Sequence, residues 1–158
     1  MFSESQDKVR RLILGEMGHA GLELRAIGRT DYPAKSPMTE ILMLARRCSG
    51  GVIFGFSQFE TDRGIWKQGT PDEKKQKGTI AFPTPWNHLE AAVLYTLRMP
   101  LLVFKEEQVA GGIFDKGVTD LFIHEMPLPR LTKPKRIALR EVIRKFSSEV
   151  QARYYADT

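Results

Sequence analysis

The chain contains 158 residues, of which 42% are hydrophobic and 27% are charged. This length and composition predict one globular domain over residues 1–158 with a hydrophobic core of its own. A net charge of +5 indicates a basic surface, and the single cysteine, Cys48, excludes an intramolecular disulfide framework and fits a reducing compartment. The most apolar segment, residues 89–104, is interrupted by charged residues and a proline, and no signal-peptide pattern is visible. We therefore expect a cytoplasmic protein that does not associate with a membrane.

The first half of the chain predicts two helices, each followed by a strand. Ser3 and Gln6 have the spacing of a capping box, which predicts the start of the first helix. Alternating apolar residues over 22–28 predict a strand with one wetter face. A serine–proline pair at 36–37 predicts the start of the second helix, and the apolar run 52–56 predicts a buried strand.

The second half begins with a long polar region. Residues 60–83 show no periodic pattern, so we expect an irregular loop in which 60–79 is the least ordered segment of the domain. Apolar runs at 101–104 and 121–124 predict two further strands, and a C-terminal helix is expected to begin near Thr132.

A helix is predicted between the polar region and the strand at 101–104. Thr84 is the expected N-cap, and Pro85 suits the first helical position because its missing N–H would have no partner there. After Pro85, residues that recur at the spacing of a helix predict its buried face. They form a stripe that consists of Leu89, Ala92, Val93, Thr96 and Leu97.

The alternation of helices with short apolar strands predicts the fold class. We expect an α/β fold in which 22–28, 52–56, 101–104 and 121–124 form a parallel sheet inside a three-layer sandwich. Ligands of such sheets bind beyond the carboxyl ends of the strands, where the strand order reverses. The start of the helix at Thr84 lies at that end, so we expect the ligand site there.

Residues 86–90 read Trp-Asn-His-Leu-Glu, a Trp-x-x-x-Glu motif at the start of a helix that precedes a buried strand. Together with the Pro-Leu-Leu-Val run at 100–103, this pattern resembles the TIR domains and their Rossmann-like relatives, including the nucleoside 2-deoxyribosyltransferases. The resemblance covers the order of elements over residues 36–125. It implies a flavodoxin/TIR-like parallel sheet, and it implies that the helix-borne Glu90 acts at the ribose C1′ of a nucleotide or of NAD.

The resemblance also implies a strand for which this sequence leaves no place. Folds of this kind start with a central strand ahead of the first helix, and only residues 1–3 precede that helix here. Either this chain starts downstream of the natural first strand, or the sheet is built in another way. In the first case we expect a sheet without its first central strand. The exposed edges of 22–28 and 52–56 would then recruit another chain, which predicts a homo-oligomer.

The chemistry expected of Glu90 can be argued from its residue type. Cleavage of a ribose C1′–N bond passes through an oxocarbenium-like centre, which a neighbouring carboxylate stabilises or attacks. Trp86 lies one turn earlier and offers an apolar stacking wall that excludes water. We also expect the helix N-terminus to favour the anionic form of Glu90. The alternative is that Trp86 anchors the core and Glu90 is a solvated helix residue.

Five other residues are candidates for substrate binding at the same edge of the sheet. Ser57 and Gln58 follow a predicted buried strand and could form hydrogen bonds to a ribose or a phosphate. Arg29 and Asp31 follow the first predicted strand and could hold a nucleotide. Arg63 lies in the long polar region and could close over a ligand. In each case the alternative is an ordinary loop residue.

The remaining polar residues predict no further site. His19, His88 and His124 lack ligand-like spacing with Cys48, so we expect no metal, and no cofactor apart from NAD or a nucleotide as substrate or ligand. Seven cations lie between residues 130 and 145, but few aromatic residues are interspersed with them. This stretch therefore predicts a solvated helix face rather than a nucleic-acid site.

Three classes of function remain open. The first is an enzyme that acts at a nucleotide ribose, as an NAD glycohydrolase or a nucleoside deoxyribosyltransferase. The second is a nucleotide-binding or signalling module without turnover. The third is a protein-interaction domain, a use that the resemblance to TIR domains also implies. The Glu90 hypothesis belongs to the first class. Fold alone does not determine function, so the other two classes stay open.

Overall fold

The computed structural model describes residues 2–26 and 36–156, and these residues form a mixed α/β structure around a small parallel sheet. None of the helices in these two ranges combines the length and the apolar character needed to cross a membrane. The described helices are α1 (Glu4–His19), α2 (Pro37–Ala45), α3 (Pro85–Thr96) and α4 (Lys133–Ala156), with a short 3-10 helix at Gly112–Phe114. The described strands are β1 (Gly51–Gly55), β2 (Phe59–Thr61), β3 (Ile65–Trp66), β4 (Lys74–Lys75), β5 (Ile80–Phe82), β6 (Leu101–Lys105) and β7 (Ile123–Glu125).

Three parallel strands form the main sheet, in the order β1-β6-β7. β1 and β6 pair along their full length, and β7 pairs on the other side of β6. The strands predicted at 52–56, 101–104 and 121–124 are therefore confirmed, with ends that differ by one or two residues. Their parallel direction places all three carboxyl ends at one edge of the sheet.

The predicted helix starts are confirmed in position, although their capping differs. The backbone N–H of Gln6 donates to the Ser3 hydroxyl at 3.1 Å, and the Ser3 N–H donates to the Gln6 side chain at 3.1 Å, which completes the capping box of α1. Pro85 opens α3 as expected. Thr84 occupies the N-cap, but its hydroxyl donates to the Asn87 side chain at 2.9 Å instead of accepting a backbone N–H.

One face of the sheet packs against α1 and α4. Phe104 of β6 lies within this core and is 1% exposed. Its ring centroid is 6.3 Å from that of Phe54 and 5.5 Å from that of His124, so all three strands contribute rings to this face. The buried members of this core are Val9, Ile13, Met17, Phe56, Leu102, Phe104, Leu139, Ile143 and Phe146.

The opposite face packs against α3 and the loop that follows β6. Gly55 makes room for the buried Phe114 ring, because a Cβ at position 55 would lie 2.5 Å from that ring. Gly51 makes room for Leu94 of α3 in the same way. Successive side chains of a strand point to opposite faces, so the second core takes the alternate residues of β1 and β6. Its buried members are Ile53, Ala81, Ala91, Leu101, Val103, Val109, Ile113 and Phe114.

The strand predicted at 22–28 is not present in the part of it that the structure describes. Residues 22–26 are irregular, and residues 27 and 28 lie outside the described ranges. Leu22 packs at the margin of the α1–α4 core, whereas Leu24 is exposed. The alternating pattern is wrong here because a strand also needs a hydrogen-bonded neighbour, and no described strand pairs with residues 22–26.

The segment 60–83, predicted as an irregular loop, contains short strands. β2 pairs with β5 and β3 pairs with β4, both antiparallel, so the chain folds back on itself as a ribbon. The indole N–H of Trp66 donates to the Gln76 side chain at 2.5 Å across this ribbon. The prediction of irregular structure is wrong at these strands because pairing between residues up to 23 positions apart, as in Phe59 and Phe82, outweighs polar composition. The greater disorder expected of 60–79 stays a prediction.

The buried side of α3 also differs from the predicted stripe. Ala91 is fully buried and Leu94 packs on the sheet, whereas Leu89 and Ala92 are exposed. Five of the six residues from 89 to 94 are apolar, so several stripes fit the same helical period. Packing against the sheet therefore decides which of these stripes is buried.

The basic stretch of α4 includes two arginines that bind a buried carboxylate of α1. Glu16 is 6% exposed, and the Nε atom of Arg140 donates to its Oε2 atom at 2.7 Å. The Nη1 atom of Arg136 lies 3.6 Å from Oε1. The hydrogen bond from Arg140 lowers the pKa of Glu16 even though burial opposes the change. This ion pair therefore ties α4 to α1.

We expect Glu16→Gln to lower the free energy of unfolding by about 1–3 kcal/mol at neutral pH, because the arginines lose their charged acceptor. Since the folded-state pKa of Glu16 lies below the unfolded value, its contribution is present above the unfolded pKa and is lost as pH falls through the folded pKa. Urea denaturation at about pH 7 and about pH 3 should show the wild type and the variant converging in acid. Glu149→Gln, an exposed site on α4, is the control, and a difference that is independent of pH would contradict the assignment.

Candidate functional site

The loops after β1 and β6 meet at the carboxyl ends of the strands. The carboxylate of Glu106, directly after β6, accepts the backbone N–H of Ser57 at 2.7 Å. The side-chain amide of Gln6 on α1 donates to the same carboxylate at 3.2 Å and to the Ser57 carbonyl oxygen at 3.1 Å. The backbone N–H of Glu106 donates to the Gly55 carbonyl oxygen at 3.0 Å. These bonds hold the candidate Ser57 at a defined position beyond β1.

We expect Glu106→Ala to lower the free energy of unfolding by about 1–3 kcal/mol, because two half-buried donors lose a charged acceptor. Glu107→Ala is the matched control, since Glu107 is exposed and a change there should stay within about 0.5 kcal/mol. Urea denaturation of both variants measures the difference. Equal losses in the two variants would show that the hydrogen-bond network does not stabilise this edge.

Glu90 and Trp86 lie one turn apart on α3 and differ in exposure. Trp86 is 44% exposed, so it does not act as a core anchor. Glu90 is half-buried, and burial raises the pKa of its carboxyl group. Desolvation therefore moves the pKa of Glu90 in the direction opposite to the one expected from the helix N-terminus alone. No residue in the described ranges forms a hydrogen bond or an ion pair with this carboxylate.

Gln58 and Arg63 lie on the ribbon that leaves β1. The backbone N–H of Gln58 donates to the Phe82 carbonyl oxygen at 2.9 Å, and its side chain donates to the Ser57 carbonyl oxygen at 3.1 Å. The Arg63 side chain is 93% exposed and lies 3.8 Å from the Asp62 carboxylate. Among the described residues, no hydrogen bond or ion pair joins either side chain to the candidates on α3.

Two candidates, Arg29 and Asp31, lie outside the described residues, and their roles stay predictions. Within residues 2–26 and 36–156, no group of three or more His, Cys, Asp or Glu side chains is placed to hold a metal ion.

The polar residues at the end of β6 were not singled out by the sequence reasoning. Lys105 is half-buried, and its Nζ atom donates to the carbonyl oxygens of Val109 at 2.8 Å and Phe114 at 3.1 Å. With Glu106, it fixes the path of the chain after the strand. The available signal was a pair of charged residues directly after an apolar run, at the end of the strand where ligands are expected.

A concavity of about 460 Å³ opens between α3 and the loop after β6. Gly112 borders it with a φ of 54°, and a Cβ at this position would lie 2.9 Å from Nδ1 of His88. The Gly-Gly pair at 111–112 lacks the spacing of a phosphate-binding loop. Glu90 is not among the residues that line this concavity, which include His88, Ala91, Tyr95, Ile113, Val118 and Thr119.

Comparison of the chain with protein-family models, with curated proteins and with solved structures found no match. The resemblance to TIR domains therefore depends on the Trp-x-x-x-Glu motif and on the order of elements. Function has to be argued from the chemistry of the residues at the site.

Proposed function

We propose that this chain binds a nucleotide and cleaves the N-glycosidic bond at its ribose C1′, with Glu90 as the carboxylate. The observation that supports this proposal is the half-buried Glu90, which no described residue pairs, on a helix that opens at the carboxyl ends of a parallel sheet. Burial of an unpaired carboxyl group costs free energy and does not stabilise the fold. Ionisable groups perturbed in this way occur preferentially at functional sites.

In the proposed reaction, the bond between C1′ and the base nitrogen breaks, and its electron pair leaves with the base. C1′ becomes oxocarbenium-like, and anionic Glu90 either stabilises this charge or bonds to C1′. In a glycohydrolase, water then bonds to C1′ and loses a proton, and in a deoxyribosyltransferase a ring nitrogen of a second base bonds to C1′ and loses its proton. Nicotinamide leaves NAD as a neutral molecule, whereas a nucleobase that leaves a deoxynucleoside takes up a proton from solvent. The Trp86 ring, one turn before Glu90, would form an apolar wall beside C1′.

The other candidates are assigned to substrate binding in this proposal. Ser57 and Gln58 would form hydrogen bonds to the ribose or to a phosphate, and the network around Ser57 supports its role by fixing the backbone. Arg29 and Asp31 would hold the nucleotide, and the exposed Arg63 would close over it. NAD or a nucleotide enters as substrate or ligand, and the proposal requires no metal or other cofactor.

A three-layer flavodoxin/TIR-like sandwich is part of the proposal. The parallel order β1-β6-β7 supports it, as do the separate cores that α1 with α4, and α3, form with the sheet. β1 has only one strand neighbour in the described residues, and an unpaired edge of this kind supports a homo-oligomer through strand pairing. The single cysteine supports a cytoplasmic location.

Incubation of the purified chain with NAD, and separately with deoxynucleosides, tests the proposal when free base is followed by chromatography. Release of nicotinamide from NAD would assign a glycohydrolase. Exchange of an added base into a deoxynucleoside would assign a deoxyribosyltransferase. Binding without release would contradict the activity and favour a nucleotide-binding module, and self-association without any nucleotide effect would favour a protein-interaction domain.

A further inference from the structure

We propose that Phe59, Trp66 and Phe82 form a stacking platform for the base of a phosphorylated nucleotide, and that lysines of the same ribbon bind its phosphate. This inference rests on the proposed function and specifies the substrate class. A dinucleotide such as NAD fits it, and a free nucleoside does not.

The three rings lie together on the ribbon formed by β2, β3, β4 and β5. The ring centroids of Phe59 and Phe82 are 6.5 Å apart with an interplanar angle of 27°, and the Trp66 ring is 6.2 Å from that of Phe82. Phe59 is 62% exposed and Trp66 is 37% exposed. Exposed aromatic faces bind bases by stacking.

Hydrogen bonds within the ribbon and to the core hold these rings in place. The hydrogen bond from Trp66 to Gln76 orients the indole. The backbone beneath Phe82 is anchored to the core, because the Ala81 N–H donates to the Gln108 carbonyl oxygen at 2.8 Å and the Ala81 carbonyl oxygen accepts the Ala110 N–H at 3.0 Å. A preformed platform loses little conformational entropy when a ligand binds.

Lysines of the same ribbon supply the charge for a phosphate. In the register of β3 and β4, Trp66 lies opposite Lys74, so the two side chains project from the same face. Lys67 is neutralised by Asp72 at 2.8 Å, but no carboxylate in the described residues forms an ion pair with Lys74 or Lys75. Unpaired lysines beside aromatic rings match a ligand that carries both a base and a phosphate.

The platform also connects the elements of the proposed active site. β2 begins four residues after the end of β1, and β5 ends three residues before α3 begins. The ribbon therefore leaves the sheet at the edge where the helix of Glu90 opens. In the proposed arrangement, a dinucleotide stacks one base on the platform, places its diphosphate near the lysines and presents its second ribose to Glu90.

Tryptophan fluorescence measures binding to the platform without requiring turnover. The chain has two tryptophans, so a Trp86→Phe background leaves Trp66 as the reporter. Ligands for titration are ADP-ribose, AMP, adenosine and a single-stranded oligonucleotide of about ten nucleotides. We expect saturable quenching by ADP-ribose and AMP, and binding of adenosine at least about tenfold weaker, since adenosine lacks the phosphate.

Variants separate the roles of stacking and charge. Phe59→Ala should lower the affinity for every adenine ligand by about tenfold, because the most exposed ring of the platform is removed. Lys74→Gln should lower the affinity for ADP-ribose and AMP but leave the affinity for adenosine unchanged. Tyr155→Ala and Lys145→Gln, at exposed positions of α4, are the controls and should change neither affinity. Thermal melts verify folding of all four variants, whose sites are exposed.

Unchanged ADP-ribose affinity in folded Phe59→Ala would overturn the platform, and so would equal affinities for adenosine and ADP-ribose. Tighter binding of the oligonucleotide than of ADP-ribose would overturn it in favour of a nucleic-acid surface. Failure of the proposed activity is recognised separately, because it abolishes base release and leaves the fluorescence titrations intact. Failure of the platform alone leaves base release, and its KM for NAD, unchanged in Phe59→Ala.

Discussion

Glu90→Gln is expected to slow base release from a competent nucleotide by about 100-fold or more while nucleotide binding is retained. Glutamine keeps the shape of the side chain but carries no negative charge with which to stabilise or attack the oxocarbenium-like C1′. The loss should therefore appear in kcat, with little change in the dissociation constant of the nucleotide. Steady-state assays of released base and equilibrium dialysis measure the two quantities.

The pH dependence distinguishes the chemistry of Glu90 from a structural role. Burial raises the pKa of Glu90, so kcat/KM should increase as pH rises through a value above the usual range for glutamate. The free energy of unfolding changes with pH in the opposite direction to kcat/KM. The unfolded state loses its proton first, so the wild type loses stability as pH rises from the unfolded to the folded pKa. Glu90→Gln escapes this loss and should be at least as stable as the wild type at neutral pH.

Glu107→Gln is the control for these experiments, because it changes an exposed glutamate outside α3. Its turnover and its pH profile should match those of the wild type. Equal turnover in Glu90→Gln and the wild type would refute the role of Glu90, as would a nucleotide complex in which C1′ lies away from α3.

Phe104→Ala is expected to lower the free energy of unfolding by about 3–5 kcal/mol, the largest stability effect that we predict. Phe104 is 1% exposed, and its ring contacts those of Phe54 and His124 on both neighbouring strands. Truncation leaves a cavity between the sheet and the helices α1 and α4. Calorimetry should show a melting temperature lowered by roughly 10 °C or more for a chain of this size.

Phe122→Ala is the matched control, since Phe122 is 76% exposed next to β7. Loss of its ring contact with His124, at 4.6 Å between centroids, should cost less than about 1 kcal/mol. Similar losses in the two variants would show that the α1–α4 core does not dominate stability.

Elements with strong local signals could be predicted from the sequence alone. The capping box of Ser3 and Gln6 and the proline at 85 locate the starts of α1 and α3, and short apolar runs locate β1 and β6. These features depend on interactions within a few residues, so the local pattern contains the information. The position of Trp86 one turn before Glu90 on the same helix also follows from their spacing in the sequence.

Tertiary structure alone decided the remaining features, because they depend on contacts between distant residues and on burial. The Arg140–Glu16 pair joins residues 124 positions apart, and the Glu106–Ser57 bond joins residues 49 apart. The irregular course of residues 22–26, the ribbon at 59–82 and the buried side of α3 were each mispredicted, since several local patterns were possible and strand neighbours or packing selected one. The raised pKa of Glu90 is likewise a desolvation effect, and it is set by the surroundings that the fold places around the carboxyl group.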